Sequence, residues 1–208
     1  MSVTKILSGL SLAVLVSGCA DYEIDKLETM HHEGKEFSRH LSKEYLAFAK
    51  KESKDYNDFI DARHFAVKGQ QAATGLTVLP EDPNEWKVPA SELKELLDAR
   101  ERLTFALDKS GRADFVAPLA SKAQVMYDCW VQEVEEANLF TGRPDQLMRC
   151  KTGFWSTIKA LESEIVKRSP VFSLTFEKNS SNLTEKSMAI IQNIANVAKQ
   201  LDEHTVAI

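Results

Sequence analysis

The chain has 208 residues, 43% of them hydrophobic and 27% charged, with a formal net charge of −5 at pH 7. That length and composition suit one or two modest domains with a packed core. The acidic balance excludes the basic footprint of a nucleic-acid binder, and beyond the N-terminus no apolar run approaches membrane-spanning length.

Lys5 gives the N-terminus a positive start, and Ile6 to Val16 form an apolar run of 11 residues leading through Ser17 and Gly18 to Cys19. This is the layout of a secretory signal, too short to cross a bilayer, which takes about 20 residues. The stretch Leu15-Val16-Ser17-Gly18-Cys19 resembles the lipobox of bacterial lipoproteins. The resemblance implies cleavage between Gly18 and Cys19, and acylation of Cys19, palmitate being a usual acyl group. The mature protein would then be held in a membrane by lipid alone, each buried methylene contributing about 0.8 kcal/mol. Ala20 rather than Asp follows the cysteine. By the sorting rule of enteric lipoproteins, this leans towards the outer membrane, facing the periplasm, although Asp21 is next.

Residues 22 to about 74 read as one long amphipathic helix. Gly34 is the only breaker before Gly69, and Leu27, Met30, Phe37, Leu41, Tyr45, Phe48, Tyr56, Phe59 and Phe65 recur at helical steps. The stripe predicts core packing; a straight helix would reach about 75 Å, and a bend or break at Gly34 would shorten it. Gly69 to Pro89 carries turn chemistry around Pro80-Glu81-Asp82-Pro83. A second helix follows, with Ser91 as its expected N-cap and Leu93, Leu96, Leu97, Leu103 and Leu107 on its apolar side, closed by Gly111.

A third helix is expected from about 114 to 138, starting close to Pro118, and a fourth from Pro144 to 167. The short connection at 140–143 makes them antiparallel neighbours. Cys129 and Cys150 lie about two turns either side of that connection, so they can face each other. In an exported chain this leftover even pair reads as a disulfide. Trp130 and Trp155 are expected to pack in the same hairpin.

Val171 to Phe176 alternates polar and apolar β-favouring residues and reads as a strand. A polar turn follows, then a helix from about 184 to 202 with Met188, Ile191, Ile194, Ala195, Ala198 and Leu201 as its buried face, and a second strand from Thr205. The segment Phe176, Glu177, Asn179, Ser180, Leu183, Thr184 resembles the opening of the OmpA-like peptidoglycan-binding domain. With the lipobox, the arrangement is similar to peptidoglycan-associated lipoproteins. What the resemblance implies is a tether between outer membrane and peptidoglycan. The family's later residues, which grip diaminopimelate, have no counterpart here. Glu203-His204-Thr205 lacks the glycine and aspartate of the family turn. The tether is therefore expected to be incomplete, with peptidoglycan as a partner only if the domain is completed.

The expected fold is mainly α: a signal helix, a long amphipathic helix, a helical bundle or hairpin, then a partial α/β (β-α-β) OmpA-like fragment. The expected divisions are a signal at 1–18, a helical periplasmic region at 19–168 and the partial domain at 169–208. His31, His32 and His40 read as a solvated face and Glu135-Glu136 as a surface pair. No phosphate loop, nucleophile elbow or Cys-x-x-Cys pair is present, so neither enzyme, cofactor nor metal is expected. The alternative to a tether is a lipid-anchored helical assembly protein that binds an envelope partner through its aromatic stripe.

Overall fold

The computed structural model describes residues 18–139, 142–168 and 174–200. The chain divides into two compact units, 1–167 and 168–208. The expected signal up to Ser17, residues 171–173 of the expected first strand and the expected second strand at 205–208 lie outside the described residues.

The first unit is built of helices. Helix α1 spans 18–29 and turns Ala20, Ile24 and Leu27 inward at steps of four and three. Next come α2 (Glu36–Lys51), a π-helical turn (Glu52–Tyr56) and α3 (Phe59–Ala73). The single helix expected over 22–74 is therefore corrected to three. Its first break is at Gly34, where a Cβ would come within 3.0 Å of the Gly75 Cα and closer still to the Ser38 Cβ. Two backbones meet there, as the hydrogen bond from Glu33 N–H to Ala73 O at 2.9 Å also shows. The second break has neither glycine nor proline. Asn57 takes the left-handed conformation (φ 56°) that ends the π turn, and Asp58 starts α3 by accepting the Asp61 N–H at 3.0 Å.

Helix α3 consequently runs back antiparallel to α2. Gly34 meets Gly75, Tyr45 lies beside Gly69, and Phe48 packs on Phe65 with ring centroids 4.5 Å apart. The aromatic stripe is spent on this packing: Phe37, Leu41, Tyr45, Phe48 and Phe65 are all buried. Gly75 (φ +81°) then releases the chain into the proline-rich loop. Val78, Pro80, Glu81 and Pro83 of that loop are buried.

Helix α4 (Ala90–Ala106) begins one residue before the expected cap, because Pro89 occupies the N-cap position and leaves Ser91 inside the first turn. Leu96, Ala99, Leu103 and Ala106 form its buried side, whereas Leu97 is exposed. A π turn (Leu107–Gly111) and a 3-10 turn (Asp114–Val116) lead into α5 (Ala117–Asn138). Helix α6 (Pro144–Arg168) returns antiparallel to it. Three pairings fix that register: Ala137 with Gly142, Cys129 with Cys150, and Met126 with Gly153. Cys129 and Cys150 are disulfide-bonded, with Cα atoms 5.7 Å apart. Above the bridge, Tyr127, Trp130, Phe154 and Trp155 form a ring cluster with centroid separations of 5.0–6.4 Å.

In the second unit, the described residues hold an isolated antiparallel bridge between Phe176 and Leu183, then α7 (Glu185–Gln200). No strand occurs among them, so within the described residues the expected β-α-β fragment is a turn and a helix. Asn179 takes φ 58° in the turn, and Glu177 N–H donates to Asn182 O at 2.9 Å. Ser180 accepts the Asn182 N–H at 3.0 Å. The Thr184 hydroxyl receives the Ser187 N–H at 3.3 Å, while the Ser187 hydroxyl donates to Thr175 O at 2.9 Å. Met188 and Ile191, expected to be buried, are exposed. Among the described residues of this unit there is no sheet for them to pack on.

Candidate functional site

Helix α5 is buried on most of its circumference, and its polar residues are buried with it. Ser121, Gln124, Asp128, Gln132 and Glu136 recur at steps of three and four, so they lie along one face. Glu133 joins them one position on. Buried polar groups need partners, and two groups of side chains supply them.

The first centre surrounds Asp128, which is wholly buried. Its Oδ2 accepts from the Tyr45 hydroxyl at 2.5 Å and from Lys68 Nζ at 2.7 Å, and its Oδ1 accepts the Glu81 N–H at 2.8 Å. Lys68 also donates to Glu81 Oε1 at 2.6 Å. His64 Nε2 lies 2.7 Å from the same oxygen, and Trp86 Nε1–H donates to Glu81 Oε2 at 3.0 Å. Burial raises the Asp128 carboxyl above its ordinary range, against the pull of Lys68. Burial also acts on Glu81, but His64 and Lys68 overcome it and hold that carboxyl at about 2. Lys68 is pushed down by burial and lifted further by Asp128 and Glu81, so it stays charged.

This centre fastens the proline-rich loop to the bundle. Arg100 of α4 donates to Glu81 O at 2.8 Å and to Pro80 O at 3.2 Å, and Gln124 donates to Val78 O at 3.0 Å. Loop, α2, α3, α4 and α5 thus converge on one set of hydrogen bonds. Its carboxylate oxygens are all supplied with donors, and the solvent reaches the set only at its His64 and Trp86 side.

The second centre lies two turns further along α5, where acids outnumber bases. Arg143, at the foot of α6, reaches Glu52 at 3.1 Å, Glu133 at 2.9 Å and Glu136 at 2.7 Å. Its guanidinium carbon stands 4.0 Å from the Tyr56 ring centroid. Asp58 and Asp61 at the start of α3 complete the group. One carboxylate oxygen from each of Asp58, Asp61 and Glu136 lies within 4.8 Å of the others. Burial pushes Glu52 up to about 8, against Arg143. Burial, then a hydrogen bond with Asp58, pushes Glu136 up to about 9. Burial, then the neighbouring Asp58, raises Asp61 to about 6. Glu52 Oε1 and Glu133 Oε2 are buried without a hydrogen-bond donor. The Glu135-Glu136 pair read as surface is thus corrected. Glu136 is buried in this centre, and half-buried Glu135 accepts the Lys87 N–H at 2.8 Å.

Neither centre was singled out in the sequence. The signal that could have found them is the i, i+4 recurrence of Gln124, Asp128, Gln132 and Glu136 on one face of a helix that carries Val125, Tyr127, Trp130, Val131 and Val134 around them. The residues that the lipobox and OmpA-like resemblances singled out lie elsewhere. Gly18 and Cys19 open α1, where Cys19 is exposed and not disulfide-bonded. Phe176, Glu177, Asn179, Ser180, Leu183 and Thr184 form the turn before α7. None of them touches either centre in the contacts described.

No described helix is long and apolar enough to cross a membrane. Compared with known proteins, the chain matches no family model, no curated protein and no solved structure.

Proposed function

We propose that this chain is a lipid-anchored protein of the bacterial envelope, acylated on Cys19, with a structural or assembly role at the membrane surface. The observation that carries the reading is the lipobox ending at Cys19, joined to the way the chain continues. Cys19 is exposed while Ala20, its neighbour, is fully buried. The thiol is open to modification, and the chain enters the core of the helical unit at once. An acyl chain on that sulfur would hold the unit close against the headgroups rather than at the end of a spacer.

The folding back of 22–74 favours this close-in role over a reaching one. Helix α2 has 16 residues, about 24 Å at 1.5 Å per residue, less than a third of the single-helix length. Because the aromatic stripe is buried within the unit, a partner protein would have to meet other residues. A second reading, a tether of OmpA-like type with peptidoglycan as its partner, is favoured by the turn from Phe176 to Thr184. Its bridged Phe176 and Leu183 and left-handed Asn179 suit the strand-turn-helix opening of that family.

The test of the anchor is metabolic labelling with an alkyne palmitate analogue, followed by membrane fractionation. The native chain should carry label and sediment with membranes, and Cys19→Ala should lose both. An unlabelled native chain, or a variant that stays in the membrane, would overturn the anchor. For the second reading, the full chain is incubated with purified sacculi. Retention that free diaminopimelate peptide displaces would support a tether, and no retention would leave the surface role standing.

A further inference from the structure

We propose that Lys68 and Asp128 are a self-modification site, where the lysine amine condenses with the aspartate carboxyl to form an isopeptide bond inside the bundle, with Glu81 as the catalytic group. The bond clamps α3 covalently to α5. The inference stands apart from the membrane anchor and rests on the Asp128 centre alone.

Three groups from three parts of the chain meet there at hydrogen-bond distance. Lys68 Nζ of α3 lies 2.7 Å from Asp128 Oδ2 of α5 and 2.6 Å from Glu81 Oε1 of the proline-rich loop. Asp128 is wholly buried, and the Lys68 and Glu81 side chains are 10% and 9% exposed. Groups held in this way react as if at very high concentration, with effective molarities of about 10⁵–10⁸ M for well-oriented pairs. Other lysine–carboxylate pairs at 2.6–2.7 Å are Lys50–Glu28, Lys94–Asp98, Lys151–Glu95 and Lys167–Glu164. Each of these has a well-exposed partner, so water solvates its charges and the pair has no reason to condense.

The surroundings of Lys68 are aromatic. Its Nζ stands 5.2 Å from the Tyr45 ring centroid, and Phe65 stacks with both Tyr45 and Trp86. Burying two charges in such a place carries a large desolvation cost. An amide carries no charge, so condensation removes that cost. Burial raises the Asp128 carboxyl, which favours the neutral acid that an amine can attack. Burial acts on Glu81 too, but His64 and Lys68 keep it ionised and able to accept a proton.

The step balances without oxidant, reductant or co-reactant. In the ion pair, Lys68 Nζ carries three protons and Asp128 none. Glu81 Oε1 takes one proton from Nζ and passes it to Asp128, leaving a neutral amine beside a neutral acid. The nitrogen lone pair attacks Cγ, and the charge that develops on Oδ1 meets the Glu81 N–H, 2.8 Å away. A second Nζ proton then travels through Glu81 to Oδ2, which also holds the Tyr45 hydroxyl at 2.5 Å. The Cγ–Oδ2 bond breaks, one water leaves, and one proton stays on the new amide nitrogen. Because Lys68 is charged at rest, the neutral amine is a minor form. The reaction is therefore slow and happens once per chain.

The test is mass spectrometry of the full chain, reduced and digested with trypsin in denaturant. The expected result is a branched peptide joining Lys68 to Asp128, one water lighter than its two parts combined, with no cleavage after Lys68. Complete cleavage after Lys68, with linear peptides only, would overturn the proposal, and the native chain alone decides this. A bond from Lys68 to Glu81 would overturn it as well. Glu81→Gln keeps both bonded residues and should slow the appearance of the branched peptide by about a hundredfold or more after a pulse of labelled synthesis. If that variant does not fold, Glu81→Asp decides, since a carboxylate set back by one methylene should form the bond more slowly. Bond formation at the native rate in the variant that folds would overturn the catalytic role of Glu81.

Discussion

The Asp128 and Arg143 centres sit two turns apart on one face of the same helix, yet they resolve burial in opposite ways. Around Asp128, two carboxylates meet Lys68 and His64, and each carboxylate oxygen has a donor. Around Arg143, one guanidinium serves three glutamates, with two aspartates alongside, and Glu52 Oε1 and Glu133 Oε2 have no donor. A satisfied buried network fixes one arrangement, whereas a partly satisfied one is open to whatever supplies the missing charge. The first centre locks a loop in place, and the second retains a capacity to take up protons.

The strongest way to break this comparison is to remove the cation from each centre. Lys68→Met strands Asp128 and Glu81, which is held ionised, and should cost about 3–5 kcal/mol in denaturant unfolding at neutral pH. Arg143→Met should cost less in mildly acidic buffer than in alkaline buffer, because its glutamates can accept protons in place of the lost charge. A Lys68→Met cost below about 1 kcal/mol would place the network among interactions worth no more than a surface pair.

Next in size is the disulfide. It closes a sequence separation of 21 residues, worth about 3 kcal/mol in the chain-entropy model. The bridge holds the start of α6 on α5, and that start carries both Arg143 and Gln146, whose amide lies 3.6 Å from Cys129 Sγ. Cys129→Ala with Cys150→Ala should therefore loosen the Arg143 centre more than the Asp128 centre. Amide hydrogen exchange reads this: protection near residues 143–150 should fall further than protection near residues 64–81. Equal loss at both centres would mean that they unfold as one unit.

The third test is pH. Glu52, Glu136 and Asp61 hold protons to about 8, 9 and 6 in the folded chain, against ordinary values of 4.5, 4.5 and 3.8. The folded state therefore binds more protons than the unfolded state above those ordinary values. Stability from this centre falls as pH rises towards about 9. Glu81 has the opposite sign: held at about 2, it contributes stability above its ordinary value that is lost as pH falls through the folded one. Unfolding temperature should drop between pH 6 and 9, and Glu52→Gln or Glu136→Gln should flatten that drop. An unchanged slope in both variants would place the titration elsewhere.

Much of the helical frame was legible because its signals are local. Pro118 and Pro144 at first helical turns and the short connection at 140–143 each act within a few residues, and together they place Cys129 opposite Cys150. The break at Asn57-Asp58 was missed because a left-handed Asn and an Asp cap replace the usual glycine or proline. The polar centres were missed for a different reason. Glu136 beside Glu135 looks like a solvated pair until α3 and α6 fold over it, and nothing local marks that enclosure. At the other end, alternation in 171–176 suggested a strand. A strand needs a neighbour along its length, and the described residues supply one bridge, Phe176 to Leu183.

The smallest expected effect sets the baseline for the rest. Arg102 and Glu162 join α4 to α6 through two parallel hydrogen bonds of 2.6 Å each, and Arg102 also lies over Trp155 at 5.6 Å. In geometry this pair is better formed than any contact of Arg143. Its side chains are 42% and 33% exposed, however, so water and salt screen what the geometry offers. Glu162→Gln should cost less than about 1 kcal/mol, with the cost shrinking as salt is added. It should also leave the pH dependence of unfolding unchanged, since the charge it removes lies outside both centres. A cost approaching that of Lys68→Met would mean that burial is not what separates strong charge pairs from weak ones in this chain. The contrast between the two centres would then have to rest on hydrogen-bond count alone.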